Sequence, residues 1–135
     1  MGVRVKVRIE HKGHYVDVVA LVNTGFEGDV PEVLIPIDVA ERLGIWPNLP
    51  EGVVVETYRT ASGLMRVYRI GGARVRLIVD DEMKEPISSF IVISEFSDEV
   101  LINDQMISAM GIVIEDAAKG LWRLRGEDRV RMSII

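Results

Sequence analysis

Hydrophobic and charged residues alternate at the start of this chain. Between residues 3 and 10 every second residue is aliphatic and the others are charged, which predicts a strand with one buried and one solvent-exposed face. Residues 11–14 are predicted to form a turn in which Gly13 takes a positive φ. The return strand, 15–22, becomes apolar on both faces near its end, as central buried strands do. The chain is therefore predicted to begin with a hairpin that enters the core.

The same patterning predicts further strands through the rest of the chain. Residues 53–59 and 64–70 are joined by small residues at 60–63, so they are predicted to form a hairpin. The pair Gly71-Gly72 is predicted to form another turn. Residues 129–135 fit a final strand and a frayed terminus equally well. The other predicted strands span 73–79, 87–93, 100–102, 112–115 and 121–124.

Two short helices are predicted between the strands. The first spans Pro36 to Gly44, because proline is favoured at a helix start and glycine at a helix end. The second spans 104–110 and ends at Gly111, with Asp104 as the expected N-cap.

Residues 23–33 are predicted to form a loop, with Glu27 and Glu32 on the surface. An apolar strand, a polar turn, a short helix and a glycine occur in that order at 19–44 and again at 100–111. This repetition indicates an internal pseudo-repeat, whose period is too long for a solenoid.

Composition narrows the class of protein. The chain has 135 residues, of which 48% are hydrophobic and 27% charged, as expected for one globular domain. It has no cysteine, which excludes disulfides and thiolate metal sites and fits a reducing compartment. The sequence shows no signal peptide and no apolar run of membrane-spanning length, so we expect a cytoplasmic protein without a membrane partner. The net charge of −5 argues against nucleic acid as the main partner.

Two histidines flank the first turn. A metal site at His11 and His14 would need further ligands, and no third histidine lies near them in the sequence. We therefore expect two solvent-exposed turn residues, and we predict neither a metal nor a cofactor. Trp46 and Trp122 are expected to be core or interface residues rather than ligand-stacking ones.

Three segments together resemble a known protein family. The run 20–26 reads Ala-Leu-Val-Asn-Thr-Gly-Phe, similar to the apolar-apolar-Asp-Thr-Gly loop of the retroviral-type (retropepsin-like, clan AA) aspartic proteases. Residues 35–44 resemble the segment that follows this loop in microbial members. Residues 100–112 resemble the Ile-Leu-Gly-x-x-x-Leu segment, whose strand passes behind the loop. The chain is therefore similar to the small prokaryotic or archaeal form of the family over most of its length.

The resemblance implies a mostly β fold, a closed, bent sheet or barrel of the retropepsin-like acid protease type with one or two short helices. It implies a single retropepsin-like domain over residues 1–135 and a two-fold homodimer, because each subunit of this family supplies one catalytic Asp. That position is occupied here by Asn23. Thr24 is expected to link the two loops by hydrogen bonds, and Gly25 to allow close backbone approach. Asn103 stands where the family has Gly, and asparagine tolerates the left-handed backbone expected there.

The catalytic positions that the resemblance assigns are Asn23, Thr24 and Gly25. In the family, two close carboxylates share a proton, activate water and protonate the leaving group. An amide neither accepts a proton near neutral pH nor donates an acidic one, so the chain as written is expected to be inactive as a peptidase. Asn23 is either natural, in a pseudo-protease that binds extended peptides, or introduced to trap an inactive form. A third interpretation is a non-enzymatic β-barrel interaction module in which Asn-Thr-Gly is only a turn.

The resemblance also implies residues that bind substrate. Phe26 and Asp29 follow the loop, and Asp29 is either a contact for peptide backbone or a solvated loop acid. The hairpin tip, Ala61-Ser62-Gly63, is expected to be a flap over the cleft, the alternative being an ordinary surface hairpin. The expected partners are a peptide or unfolded protein and a second copy of the chain. The tail, 129–135, is expected to add to the dimer interface as a strand.

Overall fold

The computed structural model describes residues 1–134 and is mostly β, as predicted. Strands hold 51% of the residues and two short helices hold 10%. The helices are α1 (Ile37–Arg42) and α2 (Asp104–Met110). The strands are β1 (Arg4–His11), β2 (His14–Val22), β3 (Glu32–Ile35), β4 (Val54–Thr60), β5 (Gly63–Val79), β6 (Glu82–Met83), β7 (Ile87–Ile93), β8 (Val100–Ile102), β9 (Ile112–Asp116), β10 (Leu121–Leu124) and β11 (Arg131–Met132).

Six of the strands close into a barrel, which confirms the predicted closed sheet. Their order is β1-β2-β8-β3-β7-β5, and β5 pairs with β1 to complete the circle. Val5, Val7 and Ile9 of β1 are at most 1% exposed, so the period-two pattern marks the face that points into the barrel. Trp122 belongs to the same hydrophobic core and Trp46 packs against it, as expected.

The turn between β1 and β2 has the expected backbone. Lys12 and Gly13 take φ values of 46° and 82°, as a two-residue turn between right-twisted strands requires. His14 is exposed, but the prediction of an exposed His11 was wrong, since its side chain is only 3% exposed. His11 still pairs with Ala73 of β5 and so belongs to the barrel wall. Among residues 1–134, no three His, Asp or Glu side chains form a group that could hold a metal ion.

Strand β5 is longer than predicted. It runs without a break over 17 residues, so the turn predicted at Gly71-Gly72 was wrong. The glycines instead form a bulge, where the register against β7 shifts between Ile70 and Ala73. Gly72 has φ +79°, and a Cβ on Gly71 would lie 3.2 Å from the Phe90 ring. The bulge lets one strand leave the barrel wall and continue into a hairpin with β4.

Strand β3 begins inside the segment predicted as a loop, 23–33, and extends two residues beyond it. It is buried along its whole length and runs between β8 and β7. Its four residues are too few for periodicity to identify a strand. Helix α1 follows directly, with Pro36 as its N-cap residue and Gly44 beyond its end at φ +75°, as predicted. Neither helix within the described part of the chain is long and apolar enough to span a membrane.

The two halves of the predicted pseudo-repeat lie side by side. β2 and β8 are parallel neighbours, and Val22 is opposite Ile102. Asn23 and Asn103 therefore follow their strands at the same level. β8 continues directly into α2, whereas β2 continues into a loop that leads to β3.

The end of the chain belongs to a second, three-stranded sheet of order β11-β10-β9. Arg131 and Met132 pair with β10, and the Ile134 N–H donates to the Arg4 carbonyl at 3.0 Å. The strand alternative for the tail is therefore confirmed over two residues, and they pair within their own chain. Ile135, also in the predicted strand, lies outside the described residues.

Candidate functional site

The polar loop after β2 is held against the segment that follows β8. The Asn23 N–H donates to the Ile102 carbonyl at 3.1 Å, and the Asp104 N–H donates to the Phe26 carbonyl at 3.0 Å. Within the loop, the Phe26 N–H donates to the Asn23 carbonyl at 3.1 Å. Asn23 Oδ1 accepts the Gly25 N–H at 3.0 Å, which closes a local Asx turn. Backbone bonds on both sides therefore define the shape of this loop.

Asn103 lies behind the loop and is completely buried. Its Oδ1 accepts the N–H groups of Glu32 and Met106, each at 3.0 Å. Its Nδ2 donates to the Val30 carbonyl at 2.9 Å. One side chain therefore caps α2 and fixes the entry to β3.

Two predictions about this segment were wrong. Asn103 has φ −86° and ψ 178°, an extended and not a left-handed backbone. Its amide hydrogen bonds, rather than tolerance of an unusual φ, explain its presence. The N-cap of α2 is Asn103 and not Asp104; the sequence does not separate them, because both residue types cap well. Asp104 Oδ1 instead accepts the Gly28 N–H at 3.1 Å and so stiffens the loop.

Glu32 was predicted to lie on the surface, but it is only 5% exposed. Its Oε1 accepts the Tyr58 hydroxyl hydrogen at 2.9 Å, and its Oε2 accepts an N–H from Arg69 Nη2 at 2.9 Å. The Arg69 guanidinium also lies over the Phe90 ring, 3.7 Å from its centroid. A buried carboxylate requires such partners. They lie 26 and 37 residues away, so the local sequence does not show them. Glu27 is exposed, as expected.

A cleft of 620 Å³ separates the loop from the hairpin. Residues 25–29 line one side and residues 56–59 of β4 line the other, together with Glu32 and Arg69. Burial raises the pKa of Tyr58, and its hydrogen bond to Glu32 raises it further. The Tyr58 hydroxyl therefore remains a hydrogen-bond donor at ordinary pH and is not an acid–base group.

Several of the predicted site residues meet at this cleft. Gly25, Phe26 and Asp29 line it, and Asn23 and Thr24 directly precede them. Phe26 is partly buried, whereas Thr24, Gly25 and Asp29 are exposed. Asn23 is partly exposed, but the lining of the cleft begins at Gly25 and includes neither Asn23 nor Thr24.

The hairpin tip borders a different cleft. Thr60 pairs with Gly63, so Ala61 and Ser62 form the turn itself, and all four are exposed. Ser62 lines a cleft of 480 Å³ whose opposite wall includes residues 96–99. Of the predicted flap residues 61–63, Ser62 lines this second cleft within the single chain, and none of the three lines the first.

The second cleft has an apolar character that the sequence did not point to. Phe96 and Leu64 line it and are 84% and 73% exposed. Leu34 and Leu101 lie in its lining as well. Large apolar side chains that remain exposed around one cleft are a feature typical of binding surfaces. They carry no sequence signal, because an isolated Phe or Leu in a chain normally belongs to the core.

The central loop of the site presents an amide, a hydroxyl and backbone groups, and the buried carboxylate of Glu32 is already paired. The cleft is also lined by the acidic residues Glu27, Asp29 and Glu56. No family model matches this sequence, and a search of curated proteins also gives no match.

Proposed function

We propose that this protein is a retropepsin-like, peptide-binding homodimer in which Asn23 occupies the position of the catalytic Asp. The proposal rests mainly on the position and contacts of the Asn23 loop. It follows a central barrel strand, it is bonded to the end of β8, and it opens on a cleft whose other wall is a hairpin. A loop and hairpin so arranged suit an extended peptide lying between them.

The hairpin supports a peptide as the ligand. β4 is the last strand in the order of the large sheet, so one of its edges has no partner strand among residues 1–134. An extended peptide can add to such an edge through main-chain hydrogen bonds. Hairpin residues line both the cleft beside the Asn23 loop and the second cleft beside the hairpin tip. One peptide strand along the hairpin would therefore present side chains to both clefts.

A homodimer follows from the chemistry of the proposed family. One chain supplies one Asn23 loop, and a dyad needs two. The tail supports an interface, since Val130, Met132 and Ile134 are 51%, 75% and 42% exposed. Replacing Met132 and Ile134 by serine is expected to weaken the dimer. Sedimentation at micromolar concentration measures the mass; a mass of one chain for the original protein would remove the dimer from the proposal.

The chain as written binds without cutting. Peptide hydrolysis by this family needs a carboxylate pair that shares one proton, and two amides hold none. General acid–base assistance contributes roughly 10²–10⁴ in rate, and the attacking water here also lacks its base. The remaining groups of the loop retain their ability to hold a peptide.

Substitution of Asn23 by Asp tests the proposal directly. The change is nearly isosteric, and two carboxylates across the dimer axis titrate as a coupled pair. We expect Asn23→Asp to cleave an unstructured protein at acidic to neutral pH and to lose activity once both groups ionise. Asn48→Asp, in the irregular segment after α1, is a control with the same change of charge.

Cleavage by the Asn23→Asp variant, but not by the original protein or by Asn48→Asp, supports the proposal. A folded, dimeric Asn23→Asp protein without activity from acid to neutral pH would contradict the protease-type site. A non-enzymatic β-barrel interaction module would then be the better description.

A further inference from the structure

Glu32 occupies a position that a barrel strand normally gives to an apolar residue. The next three residues of β3 are apolar and buried, and Glu32 itself is only 5% exposed. Its ion pair with Arg69 is buried unequally, with side-chain exposures of 6% for Glu32 and 22% for Arg69. A buried ion pair seldom adds net stability over apolar residues of similar size. The stability of the barrel therefore does not explain why a glutamate occupies this position.

The backbone of Glu32 is tied to the asparagine behind the site loop. Its N–H donates to Asn103 Oδ1 at 3.0 Å, and its carbonyl accepts the Asn103 N–H at 3.2 Å. Asn103 is followed by Asp104, which accepts the Gly28 N–H of the loop. The main chain of Glu32 is therefore tied to the Asn23 loop through Asn103 and Asp104.

The side chain of Glu32 is tied to the hairpin. Tyr58 donates to it from β4 and Arg69 from β5. Tyr58 also meets Phe26 of the loop, with ring centroids 6.3 Å apart and planes inclined by 52°. Since β4 pairs only with β5 among the described strands, these side-chain contacts are a direct link between β4 and the loop.

We infer that Glu32 is a positioning residue that fixes the hairpin relative to the Asn23 loop and so sets the width of the cleft. Its backbone follows the loop and its carboxylate holds both strands of the hairpin. When the contact with Tyr58 is broken, β4 is restrained mainly by β5 and moves away from the loop. The link belongs to the free protein, whereas its effect on ligands rests on the proposed function.

Two tyrosines of the same hairpin provide a matched test. Tyr58→Phe removes the hydroxyl bond to Glu32 and keeps the ring beside Phe26. Tyr68→Phe removes the same group from β5, where the hydroxyl donates to the exposed Glu95 at 3.1 Å. Hydrogen exchange followed by mass spectrometry reports the opening of each segment.

We expect Tyr58→Phe to speed exchange in segments covering 54–69 by about 10-fold, because the lost bond is partly buried and its acceptor is charged. Tyr68→Phe should change the exchange rate of the same segments less than about 2-fold, as expected for an exposed bond. Exchange over residues 4–22 should be unchanged in both variants. Equal effects of the two variants on the hairpin would overturn the inference. An equal increase over 4–22 would also overturn it, because the network would then stabilise the whole barrel.

A second variant identifies Glu32 as the centre of the link. Glu32→Gln keeps an oxygen that accepts from Tyr58 but removes the charge that holds Arg69. It should speed hairpin exchange, and combining it with Tyr58→Phe should add less than the sum of the two effects, since both act on one network. Full additivity would contradict a shared network.

The consequence for ligands is measured separately. In the Asn23→Asp background, Tyr58→Phe should raise KM for peptide cleavage several-fold and change kcat little, because the loop chemistry is untouched. A fall in kcat with unchanged KM would contradict a positioning role in binding. If Asn23→Asp has no peptidase activity, the proposed function fails, while the exchange experiment still decides whether the link exists.

Discussion

Two segments of this protein share one plan and differ in what their key residue does. β2 and β8 are parallel and in register, and an asparagine follows each strand. Asn103 is completely buried and makes three hydrogen bonds to backbone groups. Asn23 is partly exposed, and its Oδ1 accepts the Gly25 N–H of its own loop. One asparagine therefore holds elements together, and the other is partly open to solvent.

The difference comes from what each strand leads into. β8 enters α2 at once, and the first turn of a helix has N–H groups that need an acceptor. Asn103 supplies it to Met106 and is buried by the same packing. β2 leads into a loop that lines a cleft. The same residue type at equivalent positions is thus buried and structural at a helix N-terminus and partly exposed in a loop.

Alanine substitution at the two asparagines should give the largest contrast. Asn103→Ala leaves the N–H groups of Glu32 and Met106 and the Val30 carbonyl without their partner. We expect it to lower the free energy of unfolding by about 3–5 kcal/mol. Asn23→Ala removes one partly exposed bond and should cost under about 1 kcal/mol. Urea denaturation measures both values, and similar losses would mean that the two asparagines play similar roles.

The glycines beside the two asparagines should show the same contrast on a smaller scale. A Cβ at position 28 would lie 2.9 Å from Asn103 Nδ2, which is held by its bond to Val30. Gly28→Ala should therefore cost about 1–3 kcal/mol. A Cβ at position 25 would lie 3.3 Å from Asn23 Oδ1, on an exposed loop that can adjust, so Gly25→Ala should cost under about 1 kcal/mol. Thermal unfolding compares the pair, and a larger cost at Gly25 would reverse the assignment of the rigid segment.

Between pH 5 and 7.5, the pH dependence of stability should come from His11 and not from either asparagine segment. Burial lowers the pKa of His11, and the nearby charges of Lys12 and His14 lower it further. The unfolded chain therefore binds a proton that the folded chain resists. Stability should fall as the pH drops below about 6.5, with a limiting slope of about 1.4 kcal/mol per pH unit.

Matched histidine variants isolate this effect. His11→Gln should flatten the dependence of unfolding free energy on pH, although it lowers stability at pH 7.5. His14→Gln, at the exposed end of the same turn, should reduce the pH dependence much less, because the charge of His14 is the smallest of the causes that act on His11. Denaturation at several pH values measures both; a slope that survives in His11→Gln would assign the titration to another group.

Asn23→Asp should have the smallest effect on stability. The new carboxylate keeps the acceptor for the Gly25 N–H. At acidic pH, where the coupled pair still shares a proton, we expect a change within about 0.5 kcal/mol. The measurement is urea denaturation of the protein used in the cleavage assay. A loss above about 2 kcal/mol would show that Asn23 is structural after all, and an absence of activity would then not bear on the site.

The sequence predicted the elements whose signal is local. Alternation at residues 3–10 predicted β1, and Gly13 predicted its turn, since both depend on neighbours in the chain. The turn predicted at Gly71-Gly72 was wrong because a glycine pair permits a turn and a bulge equally. Only the pairing of β5 with β7 decides between them. The candidate loop at 23–25 was recognisable, but Phe96 and Leu64 were not, because exposure is a property of the folded chain.

The sequence by itself determined the mostly β class, the positions of most strands along the chain and the amide at position 23. That amide limits the acid–base chemistry of the site in any fold, because protonation is a property of the side chain itself. Only the tertiary structure decided that Glu32 is buried, that Tyr58 and Arg69 hold it, and that Asn103 is structural while Asn23 is accessible. These outcomes depend on groups that are far apart in the chain and close in the barrel. Burial and pairing across such distances arise when the strands close and are not encoded in any one segment.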